Sequence, residues 1–268
     1  MPEGHVLHRL ADELTAGFGG RQVRVSSPQG RFAEEALLLD ETVLERARAR
    51  GKHLFIDFAQ ERVVHVHLGL IGAMVVGPPR PIVGQVRLRL ATDDTVADLR
   101  GPQGCRLIDP GHRTALLARL GPDPLDPGAT PAPLLDRVAC DQRPVAVVLL
   151  DQSVLSGVGN VYRAEVLFRL GIDPLTPASA LSAAEWSAIW RDLVTLMAEG
   201  KRLGRIDTVR PEHAPDAMGR PARRDDHGGE VYVYRRSDRP CLVCGTQVRR
   251  RELAGRNLFW CPACQEGC

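Results

Sequence analysis

The sequence predicts an α+β protein: an N-terminal helix with a β-sandwich, a helical second part, and a C-terminal hairpin that carries four cysteines. Three observations lead to this fold class. Apolar residues recur at helical spacing in the first 18 residues, short alternating segments follow to about residue 110, and helical spacing returns after about residue 140. The length of 268 residues fits about two domains and a small addition.

A helix is predicted over residues 2–18, because apolar residues recur every four positions from Val6 to Phe18 and Gly19-Gly20 follows. Short strands come next, and turns rich in Gly, Pro and Asp separate them. They cover residues 23–25, 54–58, 63–68, 74–76 and 86–90. So many short strands indicate a β-sandwich or a flattened barrel.

Residues 121–127 contain three prolines and predict a linker, because proline interrupts helices and central strands. Helices are then predicted over residues 145–154, 162–170 and 182–198. The apolar face of the last helix, with Trp186 and Trp190, is interpreted as core and not as a base-stacking surface.

Residues 205–237 are polar and show little periodicity, which is typical of a functional or mobile loop. A cysteine-containing segment follows. The predicted domains are therefore residues 1–120, 121–237 and 238–268.

Two C-x-x-C pairs lie in the last 28 residues, with 16 residues between them. This is the spacing of a four-thiolate zinc site, and the intervening segment can form a hairpin that returns the chain to the metal. The expected ligands are Cys241, Cys244, Cys261 and Cys264. One structural zinc ion is expected, because four thiolates leave no position for water. Two disulfides, or four unrelated buried thiols, are the alternatives.

The composition, 44% hydrophobic and 25% charged, is that of an ordinary globular protein. No apolar run approaches the ~18 residues of a membrane helix. The N-terminus lacks the basic and then apolar pattern of a signal peptide. Three further cysteines, an odd number, fit reduced thiols of the cytosol. They are Cys105, Cys140 and Cys268.

Positive charge is concentrated towards the C-terminus. Residues 201–268 hold 14 Lys+Arg against 9 Asp+Glu, whereas residues 1–200 hold 21 against 24. Four of these arginines lie between the two cysteine pairs. A localised basic patch suits the phosphates of nucleic acid. A solvated basic surface is the alternative.

Pro2 is a candidate nucleophile. If Met1 is removed, Pro2 exposes a secondary amine, and α-amino groups titrate near ~8. Such an amine can attack a sugar carbon and form an iminium ion, which is an electron sink for elimination. Glu3 follows directly and could transfer protons. A helix N-terminus also accommodates a proline and a carboxylate for structural reasons alone.

A turn that contains Gly157 and Gly159 joins two helical patterns, and Asn160 after it can donate a side-chain hydrogen bond. Glycines let backbone N–H groups approach an oxyanion, and a helix N-terminus favours negative charge. The segment could therefore bind phosphate, or it could be a simple helix–helix turn.

Lys52, in a turn before a strand, is either a phosphate contact or a solvated lysine.

His65 and His67 alternate on one strand face. Because the sequence offers no evident third ligand, they are interpreted as structural and not as metal ligands.

Five segments, in this order, cover essentially the whole chain: Pro2–His5, Arg50–Leu54, His67–Leu70, Asp151–Glu165 and Gly255–Pro262. Together with the cysteine spacing they resemble the bacterial family of formamidopyrimidine-DNA glycosylase and endonuclease VIII. The resemblance implies a catalytic N-terminal domain, a helix–two-turn–helix motif in the helical domain, and a terminal zinc finger.

The resemblance also implies base-excision repair by a bifunctional enzyme, which releases an oxidised base and cleaves the strand at the abasic site by β,δ-elimination. Pro2 would be the nucleophile at C1′ and Glu3 the general acid and base. A flipped nucleotide is required, since C1′ and the base edge cannot be reached inside the stack.

The DNA contacts follow from the same resemblance. Lys52 and Arg256 would hold the phosphates around the lesion in the catalytic centre, and Asn160 would bind phosphate from the helix–two-turn–helix motif. Leu70 would enter the space that the flipped nucleotide leaves.

The chain departs from the guanine-directed branch at two places. The start reads Gly4-His5-Val6 and lacks a second carboxylate, and the loop Arg100–Arg106 lacks an aromatic wedge residue. Both departures favour the endonuclease VIII branch, and hence oxidised pyrimidines. The smaller wedge leads to a further hypothesis, that single-stranded or bubble DNA is cleaved as well as duplex. An 8-oxoguanine-directed glycosylase is the alternative.

The expected partner is damaged DNA, with no membrane partner, and the expected state is a monomer in the bacterial cytoplasm, associated with the nucleoid. Two further alternatives stay open. If Met1 is retained, the same scaffold would be a non-catalytic lesion-binding protein, because an acylated Pro2 nitrogen is no nucleophile. Alternatively, Lys52 would supply the imine-forming amine.

Overall fold

The computed structural model describes residues 2–224 and 229–265. The chain divides into two compact units, Met1–Arg119 and Leu120–Cys268. The prediction for Met1 therefore lies outside the described residues, as does Cys268.

The first unit contains α1 (Gly4–Phe18), α2 (Ala33–Leu39), α3 (Pro110–Leu117) and eight strands. The strands are β1 (Arg21–Ser26), β2 (Thr42–Arg50), β3 (His53–Phe58), β4 (Arg62–His67), β5 (Ala73–Gly77), β6 (Val86–Ala91), β7 (Val96–Arg100) and β8 (Gly104–Ile108). All pairings are antiparallel, in the order β5-β7-β6-β1-β2-β3-β4-β8. Since β1 pairs with β2 through its first half and with β6 through its second, it belongs to both halves of the sandwich.

The core of this unit joins α1 to the inner faces of the strands. Leu7, Leu14 and Phe18 of α1 are buried in one cluster with Leu54 and Ile56 of β3. The predicted N-terminal helix and β-sandwich are therefore confirmed.

β2 was not predicted, because five of its nine residues carry polar or charged side chains. After the buried Leu44, its inward side chains are small. Ala47 is buried and Ala49 packs partly against the core, so neither gave a strong apolar signal.

The second unit is mainly helical. Its helices are α4 (Ala132–Val138), α5 (Val145–Val148), α6 (Asn160–Arg169), α7 (Ala183–Leu203) and α8 (Pro215–Met218), and its strands are β9 (Arg249–Leu253) and β10 (Arg256–Trp260). Trp186 and Trp190 of α7 are buried in its core, as expected.

The predicted helix over residues 145–154 is wrong, since α5 ends at Val148. The Asp151 carboxylate accepts hydrogen bonds from the backbone N–H and the hydroxyl of Ser153, at 3.0 and 2.6 Å. Such a local side-chain bond replaces the helical pattern with a turn. The chain then runs through turns to Gly159, before α6.

The proline-rich segment packs within the second unit. The Gly121 N–H donates to the Gln152 carbonyl at 2.9 Å, and a Cβ at Gly121 would lie 2.3 Å from the Val154 carbonyl oxygen. Only glycine therefore fits here.

The division into domains of residues 1–120, 121–237 and 238–268 stays a prediction. In the described part of the chain, no helix combines the length and the apolar character that crossing a bilayer needs.

Candidate functional site

Pro2 and Glu3 lie immediately before α1. The Glu3 backbone is extended (φ −115°, ψ 175°), and its carbonyl accepts a hydrogen bond from the Val6 N–H at 3.0 Å. The Glu3 side chain is fully buried, whereas Pro2 is only half-buried. A carboxyl group held in the interior next to residue 2 is suited to proton transfer at that nitrogen.

Lys52 lies at the tip of the β2–β3 hairpin. Arg50 pairs with His53, so Gly51 and Lys52 alone form the turn, and Gly51 has a φ of 57°. A positive φ at the first turn position is the pattern of a type II′ turn, which glycine adopts without strain. Burial first, and then nearby charges that include Lys52, lower the pKa of His53 and of His67. The hairpin thus holds one ammonium group beside two imidazoles.

Three histidines form a row on the outer face of this sheet. His53 Nδ1 lies 2.9 Å from His65 Nε2, and the His53 ring centroid is 5.1 Å from those of His65 and His67. Sequence reasoning missed His53 because it stands on the neighbouring strand, in register with His67. Among the described residues, only the four cysteines have metal-binding geometry, so the histidines keep their structural interpretation.

The histidine row predicts a loss of stability in mild acid. Burial and the neighbouring imidazoles lower the pKa of His53 to about 3 and that of His65 to about 4. Because the unfolded chain binds these protons from pH ~6.5 downwards and the native state does not, stability is complete above that pH and falls towards pH ~4. Urea unfolding at several pH values across this range should show the fall in the free energy of unfolding, and the fall should be smaller in the His65→Phe variant. A free energy of unfolding that does not change with pH would contradict the prediction.

Leu70 lies in an exposed turn after β4. The Gly72 N–H donates to the Leu68 carbonyl at 3.1 Å, and Gly69 has a φ of 71°. This turn leaves Leu70 63% exposed and the next residue, Ile71, 86% exposed. An apolar pair that is displayed in this way can enter a base stack. Sequence reasoning missed Ile71, although its place beside Leu70 was the available signal.

Asn160 begins α6, directly after the predicted glycine turn, but its side chain is engaged within the protein. Its amide Nδ2 donates to the Asn257 carbonyl of β10 at 3.0 Å, and its Oδ1 accepts from Arg163. The Arg163 guanidinium also donates to the Asn257 carbonyl, at 3.1 Å. These bonds join the start of α6 to the strand that begins with Arg256.

Arg256 lies at the tip of the β9–β10 hairpin. It pairs with Leu253, and the two turn residues between them, Ala254 and Gly255, have φ values of 50° and 72°. Two positive φ angles are the pattern of a type I′ turn. Arg256 is exposed there. Within the second unit, the structure thus places Asn160 and Arg256 on directly bonded segments.

Glu165 is a functional candidate that sequence reasoning did not single out. Its carboxylate is fully buried and accepts backbone hydrogen bonds from Tyr232, Val233 and Tyr234 at 2.7, 2.9 and 2.9 Å. The Thr208 hydroxyl donates to it at 2.6 Å. One side chain of α6 therefore anchors both ends of the polar segment after α7. An acidic residue within an apolar helix was the available signal.

The four predicted zinc ligands converge. All four Sγ atoms lie within 4.8 Å of one another, with Cys241 to Cys264 at 3.9 Å and Cys244 to Cys261 at 3.5 Å. Both separations are far longer than a disulfide bond of ~2.05 Å. Four thiolates at this spacing fit one tetrahedral zinc ion with a structural role.

Replacing Cys244 with serine should remove the zinc ion and weaken DNA binding, because the metal supplies the folding energy of a small finger. The first unit should keep its stability. Zinc content by atomic absorption and affinity for abasic-site duplex check this, with the exposed Cys140→Ser as the matched control. Wild-type zinc content and affinity in the Cys244 variant would contradict the prediction.

The chain matches three family descriptions. Residues 1–105 match the formamidopyrimidine-DNA glycosylase N-terminal domain, and residues 120–210 match the formamidopyrimidine-DNA glycosylase H2TH domain. Residues 239–267 match the zinc finger found in FPG and IleRS.

Similar proteins extend over the same length. Endonuclease 8 1 of Mycobacterium tuberculosis is 48% identical over 272 residues, which cover 99% of this chain and 100% of the relative. The DNA-(apurinic or apyrimidinic site) lyase Nei2 of Mycolicibacterium smegmatis is 32% identical, with 99% of each chain covered. The solved complex between Lactococcus lactis Fpg and an abasic site containing DNA shares the fold, with a TM-score of 0.80 at 18% identity over 99% of this chain and 100% of that one.

The fold, the four-cysteine zinc finger and the similar proteins together define the class of this protein. It is a zinc-finger DNA glycosylase with abasic-site lyase activity. The chain belongs to the formamidopyrimidine-DNA glycosylase and endonuclease VIII family. Its higher identity with an endonuclease 8 than with Synechococcus formamidopyrimidine-DNA glycosylase, 48% against 32%, agrees with the predicted branch.

Proposed function

We propose that this enzyme removes oxidised bases, mainly pyrimidines, and cleaves the strand by β,δ-elimination through an iminium ion on Pro2. The observation that carries the proposal is the half-buried Pro2 beside the fully buried Glu3 carboxyl group. Relatives named endonuclease 8 support it. The site of action would be the nucleoid DNA of the bacterial cytoplasm.

In this mechanism the Pro2 nitrogen, freed by removal of Met1, attacks C1′ and its lone pair forms the new C–N bond. The base leaves with the electrons of the glycosidic bond. Glu3 takes up the proton of the attacking Pro2 nitrogen and delivers it to the sugar ring oxygen as the ring opens, which leaves an iminium ion. The iminium ion makes the C2′ proton acidic, and loss of this proton to water expels the 3′ phosphate. A second loss of a sugar proton to water then expels the 5′ phosphate.

Borohydride trapping on an oligonucleotide with one abasic site tests this chemistry, because hydride reduces the iminium ion to a stable amine. We expect an adduct on Pro2, from protein that lacks Met1, by peptide mass. An adduct on Lys52 would support the alternative amine. Without any adduct from protein that lacks Met1, the scaffold would be a lesion-binding protein. Competition between oligonucleotides with oxidised pyrimidines and 8-oxoguanine tests the lesion preference.

The wedge is assigned to Leu70 and Ile71. Their 63% and 86% exposure means that little packing is lost when they enter a duplex. The same pair would be dispensable on single-stranded DNA, where no stack has to be opened. A comparison of cleavage rates on duplex, bubble and single-stranded substrates tests the hypothesis that all three are used, and a strong preference for duplex would refute it.

Phosphate contacts by Lys52, Arg256 and Asn160 predict a steep salt dependence. With three to five contacts, log K should fall against log salt with a slope of roughly −3 to −4. Arg256→Gln should make the slope less steep by about 1, because one contact is removed. Fluorescence anisotropy with an uncleavable abasic analogue measures both slopes. A slope near zero would exclude these residues as phosphate ligands.

A further inference from the structure

The strand β9 is an open edge of the two-stranded sheet in the second unit. In the described part of the chain β10 is the strand that pairs with it, and no strand lies on its other side. The far side of β10 is covered, since the Asn257 carbonyl accepts hydrogen bonds from Asn160 and Arg163 of α6. An open strand edge displays backbone donors and acceptors with which a further strand can pair.

The register of the hairpin shows which backbone groups face outward. Leu253 and its partner Arg256 flank a two-residue turn and therefore exchange both hydrogen bonds with each other. The bonding direction alternates along an antiparallel strand, so the N–H and C=O groups of Arg250 and Glu252 point away from β10. Within residues 2–224 and 229–265, no hydrogen bond engages these outward groups.

The residue before β9 agrees with this direction and shows that the edge accepts a strand. The Val248 N–H donates to the Arg239 carbonyl at 3.0 Å, and the Val248 carbonyl accepts from the Asp238 N–H at 2.9 Å. This short segment then leaves the edge, because Asp238 has a φ of 64°. The edge is therefore occupied at Val248 and open from Arg250 onward.

A cavity of about 500 Å³ opens where that segment leaves the edge. Arg249, Arg250 and the Trp260 ring line it, together with Asp238. Arg249, Arg250 and the following Arg251 are all exposed, and none of them forms an ion pair with another described residue. β9 contains only one acidic residue beside these three arginines. The edge thus combines unpaired backbone groups with an excess of positive charge, and this suits an acidic partner.

The outward backbone groups distinguish a polypeptide from other occupants. A phosphate group accepts hydrogen bonds and does not donate them, so DNA at this edge would leave the carbonyls of Arg250 and Glu252 unpaired. An extended polypeptide supplies donors and acceptors in alternation. A second copy of β9 would bring three arginines against three arginines, and like charges on paired strands are destabilising.

We propose that the β9 edge binds an extended acidic segment of another protein, which adds a third strand to this sheet. Its backbone pairs with Arg250 and Glu252. Its acidic side chains lie beside Arg249 and Arg251, on the face that carries Trp260, the cross-strand partner of Arg249. The competing explanation is that the arginines only protect the edge from unspecific pairing.

The first test uses a peptide that alternates aspartate and valine over about six residues, the usual length of a strand. It is titrated into zinc-loaded, ¹⁵N-labelled full-length protein, and NMR follows each backbone amide. We expect saturable shifts at the amides of Arg250 and Glu252, which face the peptide, and smaller shifts at those of Arg249 and Arg251, which are bonded to β10. The same peptide with N-methylated amides should bind about 10-fold more weakly, because it cannot donate hydrogen bonds.

Variants of the protein separate the backbone contribution from the charge. Arg250→Pro removes the outward N–H, which an edge strand tolerates, and Arg250→Gln removes the charge alone. The proline variant should bind the peptide about 10-fold more weakly than the glutamine variant. Arg249→Gln/Arg251→Gln should weaken binding by about 3-fold or more and reduce its salt dependence. Arg191→Gln is the matched control, because Arg191 is an exposed arginine of α7 in the same unit, and no change is expected.

The proposal is overturned if the peptide causes no saturable shift at Arg250 and Glu252, or if the N-methylated peptide binds equally well. It is also overturned if abasic-site DNA, and not the peptide, shifts these two amides, since the edge would then bind DNA. Zinc content shows whether Arg250→Pro keeps its finger, and if it does not, the N-methylated peptide and Arg249→Gln/Arg251→Gln decide. Borohydride trapping does not bear on this result, because the proposal does not rest on the proposed function.

Discussion

An N-terminal extension that keeps Pro2 in an amide bond should reduce borohydride trapping to background while affinity for abasic-site DNA is retained. An amide nitrogen has no available lone pair, so the covalent step is lost, whereas the phosphate contacts proposed for Lys52 and Arg256 do not depend on it. Trapping yield and anisotropy, measured on protein whose N-terminal mass is known, check both halves of this result.

The same centre predicts that Glu3→Gln loses about 10²- to 10⁴-fold in single-turnover base release, the usual contribution of a proton-transfer group. The change preserves the size of a fully buried side chain, so the fold should be retained. Lys52→Ala is the comparison, since it should weaken binding and still form the adduct at saturating DNA. If borohydride trapping persists when Pro2 is held in an amide bond and disappears in Lys52→Ala, then Lys52 and not Pro2 is the nucleophile.

Glu165→Gln should lower the free energy of unfolding of the second unit by on the order of 3 kcal/mol, because four donors face this carboxylate and the amide cannot accept from all of them. Urea unfolding measures the loss. Amide hydrogen exchange should accelerate first at Tyr232, Val233 and Tyr234, where the acceptor is weakened.

Glu199→Gln is the matched control for this prediction. Glu199 lies on α7 of the same unit and pairs with Arg202 at the surface, where ion pairs contribute little. Little change is expected. Equal stability of both variants would show that Glu165 does not anchor the segment.

Sequence reasoning succeeded where short-range pattern determines structure. The helical spacing from Val6 to Phe18 gave α1 within two residues at its start, and the two C-x-x-C pairs gave the complete cysteine cluster. In both cases neighbours along the chain carry the signal. The helix predicted over residues 162–170 likewise corresponds to α6, which begins two residues earlier, at Asn160.

The features that were missed depend on contacts between distant segments. His53 joins His65 only through the register of β3 and β4, and Glu165 meets residue 232 across 67 positions of sequence. Asn160 shows the same limit, since its bond to Asn257 spans 97 positions. The prediction of a helix over residues 145–154 was wrong for a local reason. It rested on apolar periodicity alone and did not take into account the turn that Asp151 forms.

The Glu165 anchor has an evolutionary consequence. Thr208 and Tyr232 bind the same carboxylate, so the chain between them leaves and returns to one point of the helical scaffold. The entropy of closing such a segment grows only logarithmically, by about 0.6 kcal/mol for each doubling of its length. Insertions, deletions and exchanges between these two residues therefore cost the scaffold little. Selection can vary this segment while the helices and the finger stay unchanged.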